Sequence, residues 1–88
     1  MVETLRWEND TLYLLDQTLL PQKIEYLAVK DYRKVIGAIR RLAVRGAPAI
    51  GAAAAYAVVL AAMEAAREEG DFAARLRKAA DEIGAARP

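Results

Sequence analysis

The first third of the chain alternates apolar and polar positions in short runs that are typical of β-strands. Leu5 and Trp7 alternate with polar neighbours, and the Asn9-Asp10 pair behind them suits a tight turn. Two further runs, rich in β-branched and aromatic residues or again alternating, follow this turn with a polar break between them. The pattern predicts two or three short antiparallel strands within about residues 3–28.

The spacing of apolar residues then changes to that of helices. It predicts three of them, at about residues 31–43, 48–68 and 71–83. Asp31 suits the N-cap of the first helix, and Gly84 is expected to end the third. The order predicts an α+β fold in one domain, with a small antiparallel sheet followed by a three-helix bundle.

The predicted middle helix contains a long uncharged run, Ala47–Met63, at the lower edge of the length that spans a membrane. About half of this run is alanine, which contributes little transfer energy, and Pro48 and Gly51 lie at one end. We therefore expect a buried central helix of a soluble domain, with Tyr56 in its core, and no membrane partner.

The amino-acid composition excludes several kinds of chemistry from this chain. The formal net charge is +1, so we expect no nucleic-acid partner. The chain has no cysteine and no histidine, which excludes disulfides, thiolate nucleophiles and zinc ligation by nitrogen or sulfur within it. We predict no metal and no cofactor. The N-terminus does not resemble a signal peptide, and a cytoplasmic location is expected.

The turn between the first two predicted helices is the main candidate for ligand binding. Pro48 suits the first helical position, where its missing N–H would have had no partner. The N–H groups of Ala49 and Ile50, with the positive end of the helix dipole, would form an anion site.

The residues before this helix strengthen the prediction. Gly46 has no side chain, so a phosphate could approach the Gly46-Ala47 backbone, and Arg45 could grip its oxygens through two hydrogen bonds. The competing interpretation is a plain turn, since glycine and proline are common between helices. Asp16-Gln17, in contrast, is interpreted as a turn at a strand end rather than a ligand contact.

Several segments in sequence order resemble the N-terminal region of methylthioribose-1-phosphate isomerases. They are Leu15–Pro21, Ile39–Val44, Arg45–Gly51 and Ala52–Tyr56. The same family includes ribose-1,5-bisphosphate isomerases and the regulatory subunits of the exchange factor for translation initiation factor two. The resemblance implies a sugar-phosphate substrate, a longer parent protein with a Rossmann-like catalytic domain absent from this chain, and a homo-oligomer, a dimer in the intact protein.

The resemblance also implies which residues touch the substrate. Arg45, Gly46 and Ala47 match the substrate-binding Arg-Gly-Ala of the family, and Arg87 with Pro88 matches the start of a later segment whose arginine contacts substrate. In the isomerases a cysteine and an aspartate of the later domain move the protons. This chain contains no cysteine, so no catalytic residue is assigned to it and the chain alone is expected to be inactive.

Three functions remain open at this point. The first is the phosphate-binding N-terminal domain, residues 1–88, of an isomerase that converts methylthioribose 1-phosphate to methylthioribulose 1-phosphate in methionine salvage. The second is a regulatory or assembly module similar to the exchange-factor subunits. The third is part of a ribose-1,5-bisphosphate isomerase. The chain ends directly behind a predicted helix, which we interpret as a truncation.

Overall fold

A computed structural model of the chain describes residues 3–41 and 43–86. Three antiparallel strands precede three helices, which confirms the α+β class. In chain order the elements are β1 (Leu5–Glu8), β2 (Thr11–Leu15), a 3₁₀ helix (Gln17–Leu19), β3 (Tyr26–Val29), α1 (Tyr32–Arg40), α2 (Ala47–Arg67) and α3 (Phe72–Ala86).

The sheet has the order β1-β2-β3, with β2 in the middle. Asn9 and Asp10 have φ of 53° and 57°, the positive values that a two-residue hairpin requires, and Glu8 pairs with Thr11 across the turn. On β2, Leu12 and Leu14 are fully buried. The predicted turn is therefore confirmed, and the apolar side of the sheet faces the helices.

Helix α1 begins as predicted but ends earlier than residue 43. The Asp31 carboxylate accepts from the Arg33 N–H at 2.9 Å, which caps the first turn. At the other end, the Ala43 N–H donates to the Ala38 carbonyl at 2.9 Å, closing the helix after Arg40. The chain leaves the helix there because Ala43 is then completely buried in the core.

Helix α3 continues beyond its predicted end. Gly84 lies inside the helix, which runs on to Ala86, so the expectation that this glycine ends it is wrong. A glycine within a helix costs about 1 kcal/mol relative to alanine. Continuing the helix brings Ala86 against the core, where it is 6% exposed, and this burial offsets part of the cost.

The core lies between the sheet and the helices. The largest fully buried side chains come from β2, α1 and the segment after α1: Leu12, Leu14, Val35, Ile39 and Val44. Tyr56 of α2 stacks on Trp7 of β1, with ring centroids 5.3 Å apart and planes 10° from parallel. This pair fixes α2 against the sheet, although Tyr56 is half-buried rather than fully in the core.

Candidate functional site

The start of α2 is shaped by a glycine. Gly46 is the N-cap, with φ of 89° and ψ of 134°, a conformation that residues with a side chain rarely adopt. A Cβ placed on Gly46 would meet nothing within 4 Å. The backbone angle, and not a lack of space, therefore accounts for the glycine.

The backbone donors at this helix start are fewer than the sequence suggested. The Ile50 N–H donates to the Gly46 carbonyl at 2.9 Å, so the expectation that it faces a ligand is wrong. Ala47 and Ala49 are the first and third helical residues, and their N–H groups have no acceptor one turn earlier in the helix. With Pro48 between them, two N–H groups and the positive end of a 21-residue helix face this site.

Three of the four residues predicted to bind substrate adjoin one another at this point. Arg45, Gly46 and Ala47 are all exposed and directly precede or begin α2. All three residues are therefore open to solvent, and a small anion can approach the turn from outside. The fourth residue, Arg87, lies outside the described residues.

A second segment lies against the chain just before Arg45. The Gln17 N–H donates to the Ala43 carbonyl at 2.9 Å, which joins the 3₁₀ helix after β2 to the segment between α1 and α2. Two residues separate Ala43 from Gly46, so this bond holds the approach to the start of α2. Gln17 and Ala43, far apart in sequence, are therefore neighbours in the fold.

Asp16 organises this junction from inside. Its carboxylate accepts from the Thr18 N–H at 3.0 Å and the Thr18 hydroxyl at 2.6 Å, and the Arg41 guanidinium lies 3.5 Å away. The hydrogen bond from the Thr18 hydroxyl is the main cause that lowers the pKa of Asp16, with Arg41 adding to it, although burial acts in the opposite direction. The predicted turn role of Asp16 is confirmed, and the carboxylate is ionised at neutral pH.

A polar cleft between the three helices is a different kind of cluster. The Arg33 guanidinium donates to both carboxylate oxygens of Glu64, at 2.9 and 3.2 Å, and also lies over the Tyr32 ring. These contacts join α1 to α2, and holding the two helices together is sufficient to account for them. Within residues 3–41 and 43–86 no group of three acidic, cysteine or histidine side chains is placed to hold a metal ion.

This chain has clear relatives among known proteins. A scan against protein-family models finds no match. A methylthioribose-1-phosphate isomerase of Desulforamulus reducens is 53% identical over 83 residues, which is 93% of this chain and 24% of the relative. Isomerases of the same name from Heliobacterium modesticaldum and Pelotomaculum thermopropionicum are 48% and 51% identical over 99% and 100% of the chain.

The chain matches the N-terminal part of methylthioribose-1-phosphate isomerases. The resemblance that the motifs indicated is thereby confirmed. The chain spans about a quarter of the length of these isomerases.

Two solved structures contain the same fold. The 5-methylthioribose 1-phosphate isomerase of Pyrococcus horikoshii superposes with a TM-score of 0.87 at 30% identity. A structure described as subunit delta of translation initiation factor eIF-2B from A. fulgidus superposes with a TM-score of 0.86 at 42% identity. Each match covers the whole of this chain and 25% or 26% of the longer one.

Proposed function

We propose that this chain is the N-terminal, phosphate-binding part of an isomerase that converts methylthioribose 1-phosphate to methylthioribulose 1-phosphate. The observation that carries the proposal is the exposed Arg45-Gly46-Ala47 turn at the start of α2, within a chain similar to isomerases of that name. The reaction belongs to methionine salvage. Neither alternative considered from the sequence is favoured by the curated relatives.

The substrate phosphate is the group that this turn is suited to hold. Its oxygens would accept from the Ala47 and Ala49 N–H groups, while the helix dipole stabilises the negative charge. Arg45 would add two charge-assisted hydrogen bonds from one guanidinium group. Gly46 itself has no side chain, so a phosphate could approach the backbone closely at this residue.

Proton transfer is assigned to the remainder of the parent protein. Conversion of an aldose to a ketose needs a group that removes a proton and one that delivers it. This chain has no histidine or cysteine. Its contribution is to bind and orient the sugar phosphate beside a second domain. We further propose that the parent protein is cytoplasmic and acts as a homo-oligomer.

A chimera tests the proposal. Residues 1–88 would replace the N-terminal quarter of the Pelotomaculum thermopropionicum isomerase, whose match covers the whole chain. We expect a folded enzyme that isomerises methylthioribose 1-phosphate. A folded chimera that binds no sugar phosphate and has no activity would contradict the proposal and favour a regulatory module.

Variants of the chimera test the role of the turn. Losing the charge-assisted hydrogen bonds of Arg45 should cost about 1.5–3 kcal/mol, so Arg45→Ala should lower kcat/KM roughly 10- to 100-fold. Arg77→Ala removes an exposed arginine from α3 and should leave kcat/KM unchanged. Equal kinetics for the two variants would show that Arg45 does not bind substrate.

A further inference from the structure

One face of α2 is apolar and lies at the surface. At positions spaced by three and four residues it presents Gly51, Ala52, Ala55, Val58, Val59 and Ala62, which are exposed or half-exposed. We call this the outer face. Val58 and Val59 are 36% and 44% exposed at its centre, while Ala57, Leu60 and Ala61 on the opposite side are buried.

A helix that packs on a core with one side normally carries polar residues on the other. Helix α2 departs from that pattern, because no charged residue occurs from Ala47 to Met63. A helix that is apolar all round is typically buried all round. We propose that the outer face of α2 is an interface that docks the remaining three quarters of the parent protein onto this chain.

The size of the face decides between a second copy and the same polypeptide. A helix of 21 residues is about 30 Å long and about 10 Å wide, so the face offers roughly 300 Å². A stable dimer buries about 800 Å² on each partner. A tethered segment needs less area, because the linker gives it an effective concentration of the order of millimolar.

The length of the relatives indicates what the tethered partner is, namely the part of the protein that this chain does not contain. The relatives and both solved structures contain this whole unit as only about a quarter of their length. The outer face also begins one turn after Arg45-Gly46-Ala47. A domain seated on it would therefore lie beside the turn that is proposed to hold phosphate.

A membrane is the less suitable occupant. In the described part of the chain, α2 is long and apolar enough to span a bilayer by length and composition. Its inner side, however, packs on the core, and Glu64 near its end pairs with Arg33 of α1. A spanning helix would have to release both, exposing a carboxylate to lipid at a cost of a few kcal/mol.

Thermal unfolding of the 88-residue chain and of the chimera described above, each with the same substitutions, tests this interface without an activity measurement. In the chain alone, Val59→Lys should shift Tm by no more than about 3 °C, because surface changes are nearly neutral. In the chimera it should lower Tm by about 6 °C or more, because the ammonium group would be buried without a partner. Val59→Ala is the milder variant, expected to lower Tm only in the chimera, by about 3 °C.

Ile24→Lys is the matched control, since Ile24 is 60% exposed and belongs to the loop before β3 rather than to α2. This substitution should change the Tm of the 88-residue chain and that of the chimera by no more than about 3 °C. The proposal is overturned if the chimera tolerates Val59→Lys, if both proteins lose stability equally, or if the parent chimera does not fold. It is also overturned if Val59→Lys acts only by dissociating a dimer of the chain, or by releasing it from phosphatidylcholine–phosphatidylglycerol vesicles.

Discussion

The N–H of Gln17 donates to the carbonyl of Ala43 across 2.9 Å and joins two segments that are far apart in sequence. One segment follows β2, and the other leads from α1 to the start of α2. Since Gly46 lies three residues after Ala43, the position of the proposed phosphate turn depends on this contact. Residues beside the contact should therefore affect the site without touching substrate.

Asp16→Asn tests the support beneath this contact. The Asp16 side chain is 8% exposed and is held by both Thr18 donors, so we expect the variant to lose about 1–3 kcal/mol of unfolding free energy at pH 7. Arg41 is 52% exposed, and solvent screening leaves its ion pair a smaller share of the effect. Urea unfolding of the unmodified chain and of the variant measures this loss of unfolding free energy. Asp81→Asn, at an exposed position of α3, is the control.

The same residue predicts a pH dependence. The folded state lowers the pKa of Asp16 below its ordinary value of 3.8. The stabilisation is therefore complete above that value and is lost as the pH falls through it toward the lowered pKa. Between pH 5 and pH 2 the parent chain should lose more stability than Asp16→Asn does. Identical pH profiles would show that this carboxylate is not stabilised by folding.

Gly46→Ala isolates the effect of a backbone angle. The added Cβ meets nothing within 4 Å, so the expected loss of about 1–3 kcal/mol arises from the positive φ alone. Gly84→Ala provides the matched comparison, because its Cβ also meets nothing but the position is helical. That variant should gain about 0.5–1 kcal/mol. Urea midpoints that move in the same direction for both would contradict this explanation.

The Trp7–Tyr56 stack predicts that the ring of Tyr56, and not its hydroxyl group, stabilises the fold. Tyr56→Phe keeps the ring and should change stability by less than about 0.5 kcal/mol. Tyr56→Ala removes the ring from its stack, and should cost about 2–4 kcal/mol. Thermal unfolding compares the two. A similar loss from both would assign the stabilisation to the hydroxyl group rather than to the stacked ring.

The sequence predicted the class and order of the elements because hydrophobic spacing records which side of an element is buried. It did not predict where α1 ends or that α3 passes through Gly84. Both outcomes depend on tertiary packing, since burying Ala43 and Ala86 changes what the local sequence favours. A glycine signals a possible helix end, but a core contact beyond it can outweigh the signal.

In the candidate site, too, some features could be predicted from local sequence and others depend on tertiary structure. Local sequence was sufficient to identify the turn, its glycine and the nearby arginine. The sequence also predicted that the Ile50 N–H is available to a ligand. That prediction is wrong because this N–H donates to the Gly46 carbonyl once the helix has formed. The contact between Gln17 and Ala43 links residues 26 positions apart, and neither backbone group carries a sequence signal.

The pairing of Trp7 with Tyr56 also gives the molecule its own optical reporter. Trp7 is the single tryptophan of the chain, and it lies where β1 contacts α2. Its emission spectrum and quenching therefore follow the separation of sheet and helix, with no added dye. Because α2 carries both the phosphate turn and the outer face, one native fluorophore can register events at either end of this unit.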